Sequence, residues 1–260
     1  MPEDPYRSIR KLLAGTRPEE LREGLKLVEK EIARTETGES KPLFEILSTL
    51  FYIDPLDHPE FVSILDEAVN LAVGFGAWVI PVLVDNLNAG DLKAQWAIAH
   101  VLGRIGADSI DPLMAKYASA TDPTLRAFLL YALGKIKSPK ILRVAGIALE
   151  AARSGDLELR DTATRTLGKL VESIPPADLP GQLKQQLLAC LHRNLSDTNA
   201  SVRAKAIRSL GKMAKFNHLS DSEREQLKKA CRSLLGADEA HEWDRAFIVR
   251  REAEEALACA

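Results

Sequence analysis

The chain has 260 residues, 46% of them hydrophobic but only 5% aromatic, with 35 basic and 37 acidic side chains and a formal net charge of −2. That apolar share is enough to bury a large core, and the predominance of Ala, Leu, Lys, Arg and Glu favours helices packed through small and unbranched side chains. The longest apolar run, 71–84, is interrupted by Gly74, Gly76 and Pro81 and is too short for a bilayer span, while Cys190, Cys231 and Cys259, odd in number and without a C-x-x-C pair, predict reduced thiols rather than a disulfide framework.

The opening MPEDPYRSIR carries early acids and no apolar stretch, so no secretory leader is expected and a cytoplasmic location follows. The N-x-S matches at Asn194 and Asn199 then carry no glycan. Thr16-x-x-Glu19 has the form of a capping box, and Leu21, Leu25, Val28 and Ile32 follow at helical spacing, which predicts a surface helix. Residues 43–53, LFEILSTLFYI, are apolar almost all round and predict a segment buried between neighbours. Residues 1–56 are expected to form an N-terminal helical cap. Asp54, Asp57, His58 and Glu60, set around Pro55 and Pro59, read as an interhelix turn. So does GFGAW at 74–78, with Trp78 packed into the core.

Further along, one helix is written several times: AQWAIAHVLGRI (94–105), LRAFLLYALGKI (125–136), LRDTATRTLGKL (159–170) and VRAKAIRSLGKM (202–213), with a degenerate fifth copy from Val249. The aligned Gly103, Gly134, Gly168 and Gly211 recur every 31 to 43 residues, a period that belongs to stacked arrays. Each copy is preceded by an amphipathic segment (78–88, 110–118, 139–152, 183–194, 223–235) and by a turn carrying Asp91, Asp122, Asp156 or Asp197, where an Asp or Asn can cap the second helix. One such pair cannot bury its apolar face alone, so stacking completes the core. The Gly column is expected to let a helix approach a neighbouring backbone or to end a regular turn. The fifth copy, with Ala258 in place of Gly and Glu252, Glu254 and Glu255, is expected to be a polar closing cap.

The turn Asp, the [VL]-R pair and the A-x-x-x-L-G-[KR]-[ILM] ending resemble the HEAT-repeat superfamily, in particular the short bacterial repeats of phycobilisome lyase subunits, over roughly residues 60–260. The resemblance implies an all-α fold, an α-solenoid superhelix of stacked antiparallel helix pairs with about five pairs over 57–260. It also implies a concave surface lined by the second helices. A ladder of side-chain hydrogen bonds between successive repeats is implied too, and here it would fall to Asp122, Arg126, Asp156, Arg160, Asp197 and Arg203.

A helical wheel started at Val202 places Ala206, Ser209, Leu210 and Met213 on a core side and Ala204, Arg208, Gly211 and Lys212 on a free side. Across the copies the free positions are Trp96, His100 and Arg104; Ala127, Tyr131 and Lys135; Asp161, Arg165 and Lys169; and Ala204, Arg208 and Lys212. They predict a partner groove that is aromatic at one end and basic along its floor. Net charges of −7 for residues 1–90, +9 for 91–236 and −4 for 237–260 agree with a basic middle that attracts an acidic partner.

No nucleotide loop, nucleophile elbow or H-E-x-x-H is present, and His58, His100, His192, His218 and His241 stand apart, so no catalytic residue, metal or cofactor is expected. The expected function is a non-catalytic protein-interaction scaffold for an acidic or amphipathic segment. Nucleic-acid binding, as in glycosylases built on such repeats, is the alternative, and a subunit or partner of a chromophore-lyase complex is the third reading. A membrane partner is not expected.

Overall fold

The computed structural model describes residues 4–34, 41–88, 90–237 and 242–260; Met1 to Glu3, which open the N-terminal stretch, and His241 lie outside them. Among the described residues the chain is all-helical, with no strand and no helix long and apolar enough to cross a membrane. It divides into two compact units, Met1–Lys116 and Tyr117–Ala260.

The first unit holds α1 (Arg7–Leu13), α2 (Pro18–Ile32), α3 (Lys41–Ser48), α4 (Val62–Val73), α5 (Val79–Asn86) and α6 (Leu92–Ile105). Leu21, Leu25 and Val28 of α2 are fully buried, as their spacing requires. The capping box does not form. Arg17 is the N-cap residue, no side chain caps the helix, and Pro18 occupies a first-turn position where an N–H would be unpaired anyway. Arg17 instead pairs with Glu20 at 2.5 Å. Residues 43–53 run through α3 into a 3₁₀ turn, Thr49–Tyr52, and bury Leu43, Phe44, Ile46, Leu47, Leu50 and Phe51, whereas Tyr52 turns out to solvent. Trp78 meets Phe44 and Phe75 edge to face, at 5.8 and 6.2 Å between ring centres. Helices α2, α4 and α6 pack in succession, with α5 on α6 and α3 on α4.

The division falls inside α7 (Ile110–Ser119). The second unit contains α8 (Pro123–Leu133), α9 (Ala145–Ala151), α10 (Leu157–Leu170), α11 (Gly181–Asn194), α12 (Ala200–Lys215), α13 (Asp221–Leu235) and α14 (Phe247–Leu257). Each repeated block falls on a second helix. Helices α8, α10, α12 and α14 pack side by side, while α9, α11 and α13 each pack on the helix that follows. Helix starts are fixed by Asp122, Asp156 and Asn199, whose side chains accept from backbone N–H groups of α8, α10 and α12, as Asp91 does for α6 in the first unit. Asp197 is not a cap.

The close approach expected of the Gly column is seen at two positions: a Cβ on Gly168 would lie 2.6 Å from Ser209 Cβ, and one on Gly211 would lie 2.8 Å from Ala256 Cβ. Helix α12 consequently has second helices against both flanks. Ala204 and Gly211, placed on a free side by the wheel, are buried, and so is Ala127 on α8. Asn194 is buried as well, donating to Ala152 O at 3.2 Å and to Thr164 Oγ1 at 2.8 Å.

Arginines follow one rule in this unit. Arg126, Arg160, Arg203 and Arg250 each donate to the carbonyl six residues earlier, those of Ala120, Ser154, Asp197 and Asp244, at 2.6 to 2.9 Å. Arg160 also reaches forward to Asp197 (2.8 Å), and Arg203 to Asp244 (2.7 Å), joining one pair to the next. Arg126 has no carboxylate partner among the described residues and stacks on the Tyr117 ring at 5.0 Å. Asp122 and Asp156 take no part in these cross-repeat bonds.

Candidate binding groove

Helix α6 starts at the Asp91 cap and runs beside α4, bringing Trp96, His100 and Arg104 to one edge of a groove of about 370 Å³. The opposite wall is Val62, Leu65, Asp66 and Val69 of α4, and Leu50, Phe51, Ile53 and Pro55 close one end. The surface is mostly apolar and open. Trp96 is 43% exposed and Val62 53% exposed, and Leu92, one turn before Trp96, is also largely exposed. Large apolar groups thus stand in water beside a preformed concavity.

Charges at the groove's rim are already matched. Arg104 pairs with the Asp66 carboxylate and donates to Asn70 Oδ1 at 2.8 Å, and Lys93 lies 3.2 Å from Asp54. Arg104 is therefore a wall of the groove tied to α4 rather than a cation held out to solvent. His58, Asp54 and Glu60 stay in their turn: His58 Nδ1 is 3.2 Å from Glu60, its ring stacks on Phe61, and Asp54 accepts from the Leu56 N–H. Sequence periodicity pointed to Trp96 and His100 but missed Val62, Leu50 and Phe51. These come from segments outside the repeated pattern, so no column aligns them.

In the second unit the positions predicted as a basic floor separate into two groups. Lys135 Nζ and Arg165 Cζ lie 4.7 and 5.3 Å from the centre of the Tyr131 ring, a cluster of two cations on one aromatic ring. The remaining cations are matched by acids the wheel did not bring near them. Arg208 grips Glu252 of α14, with its Nε 2.6 Å from Oε2. Lys169 and Lys212 both reach Glu172, at 2.9 and 2.7 Å, and Lys205 pairs with Asp161. The expectation of a basic floor running through Lys169, Arg208 and Lys212 is corrected accordingly. Arg208 meets its carboxylate on the next second helix, Lys212 reaches back to Glu172 just past the end of α10, and Lys169 meets the same Glu172 three residues on. Glu252, expected on a polar closing face, is 1% exposed.

Burial would raise the carboxyl groups of Glu172 and Glu252, but the adjoining Lys212 and Arg208 hold both below their ordinary value. Burial pushes Lys212 down to about 8, against the attraction of Glu172. Between pH 8 and its ordinary 10.5 the unfolded chain therefore binds more protons at this site than the folded one, so stability rises with pH across that window. Thermal unfolding midpoints measured from pH 7 to 10 are expected to show this rise in the wild type and a flatter profile in Lys212→Met.

Among the described residues no group of three or more His, Cys, Asp or Glu side chains is placed to hold a metal ion. Cys190 and Cys231 are buried free thiols, and burial pushes the Cys231 thiol up to about 11.

No protein-family model matches the chain, and no curated protein matches it. Solved structures do. The complex of CpcE and CpcF of phycocyanin lyase from Nostoc sp. PCC7120 is similar at a TM-score of 0.55 and 19% identity, covering 70% of this chain and 99% of that one. An engineered protein is similar at a TM-score of 0.54 and 19% identity over 97% of this chain and 62% of its own, and a second at 0.50 and 17% over 99% and 96%. These likenesses, with the stacked helix pairs above, establish a helical-repeat fold.

Proposed function

We propose that this helical-repeat chain is a non-catalytic interaction scaffold whose working surface is the groove beside Trp96, and that its partner is an amphipathic protein segment. In this reading residues 1–56 cap a repeat array over 57–260, α14 closes it, and the cap contributes Leu50 and Phe51 to the groove. The observation that carries the reading is the exposure of Trp96 and Val62 on facing walls of a preformed apolar concavity. An amphipathic helix laid into such a groove buries alternate-turn apolar anchors, and a single aromatic anchor carries a large share of the affinity.

The matched charges favour a protein segment over a phosphate backbone. Lys169, Lys212 and Arg208 already face Glu172 and Glu252, so a phosphate backbone would have to displace carboxylates at each of them. This weakens the nucleic-acid reading, which requires binding that falls steeply with salt. The acidic character of the partner likewise gains nothing from these positions. A lyase-like role predicts a spectral change on titration with a linear tetrapyrrole.

Affinity capture with the wild-type chain and with Trp96→Ala tests the proposal. Because Trp96 is already half exposed, the substitution is expected to leave the fold intact and to weaken capture of the groove partner about tenfold, equivalent to about 1.4 kcal/mol. Identical capture by both chains sinks the groove as the working surface.

A further inference from the structure

The arginine rule of the second unit contains one irregular member, and a cavity lies beside it. Asp197 and Asp244 each do two things: Oδ1 accepts the backbone N–H two residues on, from Asn199 at 2.8 Å and Ala246 at 2.9 Å, and Oδ2 accepts Nε–H of the preceding repeat's arginine, Arg160 at 2.8 Å and Arg203 at 2.7 Å. Ser154 stands at the same place, six residues before Arg160. Its Oγ makes the first of these bonds, accepting from Asp156 N at 3.1 Å. It has no second oxygen for the second bond, and the arginine that would donate it is Arg126.

Arg126 and Ser154 line the same open cavity of about 590 Å³, together with Arg153, Tyr117, Gln186 and Glu150. Arg126 donates its Nε–H to Ala120 O at 2.8 Å and rests on the Tyr117 ring, and its two Nη groups have no acceptor among the described residues. At the next two junctions an Nη holds the carbonyl six residues back and Nε–H meets the carboxylate; at Arg126 Nε takes the carbonyl, which leaves both Nη groups for a carboxylate. A guanidinium fork held by its Nε and by an aromatic face is a preorganised carboxylate receptor, with a hydroxyl and a side-chain amide beside it.

We propose that the cavity between Arg126 and Ser154 binds a carboxylate through the Nη groups of Arg126, so that a ligand supplies there the counter-charge that Asp197 and Asp244 supply at the following repeats. Two sources share this chemistry, a free carboxylate and the Asp or Glu side chain of a peptide. The site lies wholly in the second unit and does not depend on the groove beside Trp96.

Ser154→Asp is the decisive variant, since it adds the missing oxygen within the chain itself while leaving Arg126 in place. NMR titrations follow the Arg126 Nε–H signal against sodium acetate, a capped hexapeptide with one central Asp, and the same peptide with Asn. Saturable shifts are expected in the wild type with the Asp peptide and not with the Asn peptide. In Ser154→Asp the affinity is expected to fall at least tenfold, and the thermal unfolding midpoint to rise. Saturation by acetate identifies a receptor for any carboxylate, and saturation by the Asp peptide alone identifies a receptor for an acidic segment. Trp96→Ala leaves these shifts unchanged, which separates this site from the groove. Equal responses to the Asp and Asn peptides, or an undiminished response in Ser154→Asp, overturn the proposal.

Discussion

Replacing Arg208 with methionine is expected to lower the unfolding free energy by roughly 3 kcal/mol, and adding Glu252→Leu to recover most of that loss. Glu252 is 1% exposed and its carboxylate is held by Arg208 through two bonds, one of them 2.6 Å long. Without Arg208 the nearest cation is Arg251, 3.2 Å away and half exposed, which keeps the cost at the low end for a broken buried pair. Arg208 itself reaches solvent, so a fully buried cation is not at issue. The pH dependence has a definite sign. Glu252 is held below its ordinary 4.5, so the stability it contributes is present above that value and is lost as pH falls through its folded value. The penalty of Arg208→Met is therefore largest near pH 7 and shrinks in acid, where a protonated Glu252 no longer needs a counter-charge. Urea unfolding of the wild type, the single and the double variants at pH 7 and pH 4 checks both parts. A single-variant loss under about 0.5 kcal/mol would place the pair among ordinary surface ion pairs.

The helix pairs were legible in the sequence because repetition converts one weak periodic signal into four aligned copies, and the Gly column marked where second helices meet. What misled was the treatment of one helix as having a single buried face. Helix α12 lies between α10 and α14 as well as against α11, so positions opposite Val202 are buried too, and Arg208 and Lys212 meet Glu252 and Glu172 from other repeats. Those partners lie 44 and 40 residues away, and no wheel drawn on one helix contains them. The arginine rule was within reach: Ala120, Ser154, Asp197 and Asp244 stand six residues before Arg126, Arg160, Arg203 and Arg250. Reading the turn Asp as a cap concealed it, since Asp122 and Asp156 do cap while Asp197 binds across the repeat. The groove was half legible. Trp96 and His100 fall in the repeated column, but Val62, Leu50 and Phe51 belong to unrepeated segments, and only the packing of α4 on α6 brings them opposite.

Gly168→Ala is expected to destabilise the protein by about 3 kcal/mol, the upper part of the range for inserting a methyl group into a packed interface. The new Cβ would overlap Ser209 Oγ and lie 2.8 Å from Ser209 Cα, so a rotamer change removes the first clash and leaves the second. The rotamer change gives up the 3.0 Å bond from Ser209 Oγ to Thr164 O, and relief of the second clash requires α10 and α12 to move apart. On an exposed helix the same change stabilises, because alanine favours helix by up to about 1 kcal/mol over glycine. Gly146, near the start of α9 with nothing within 4 Å of its Cβ position, supplies that control, and Gly146→Ala should be neutral or stabilising. Ser209→Gly in the Gly168→Ala background takes away the Oγ and Cβ atoms but leaves the main chain of residue 209 in the way, so it should restore part of the loss. Denaturant midpoints of the wild type and these three variants test whether the repeated glycine sets the helix spacing. A large penalty at 168, absent at 146 and partly relieved by Ser209→Gly, means that the column sets the spacing between successive second helices. A neutral Gly168→Ala would mean that α10 and α12 can part at no cost, and that the column does not set their spacing.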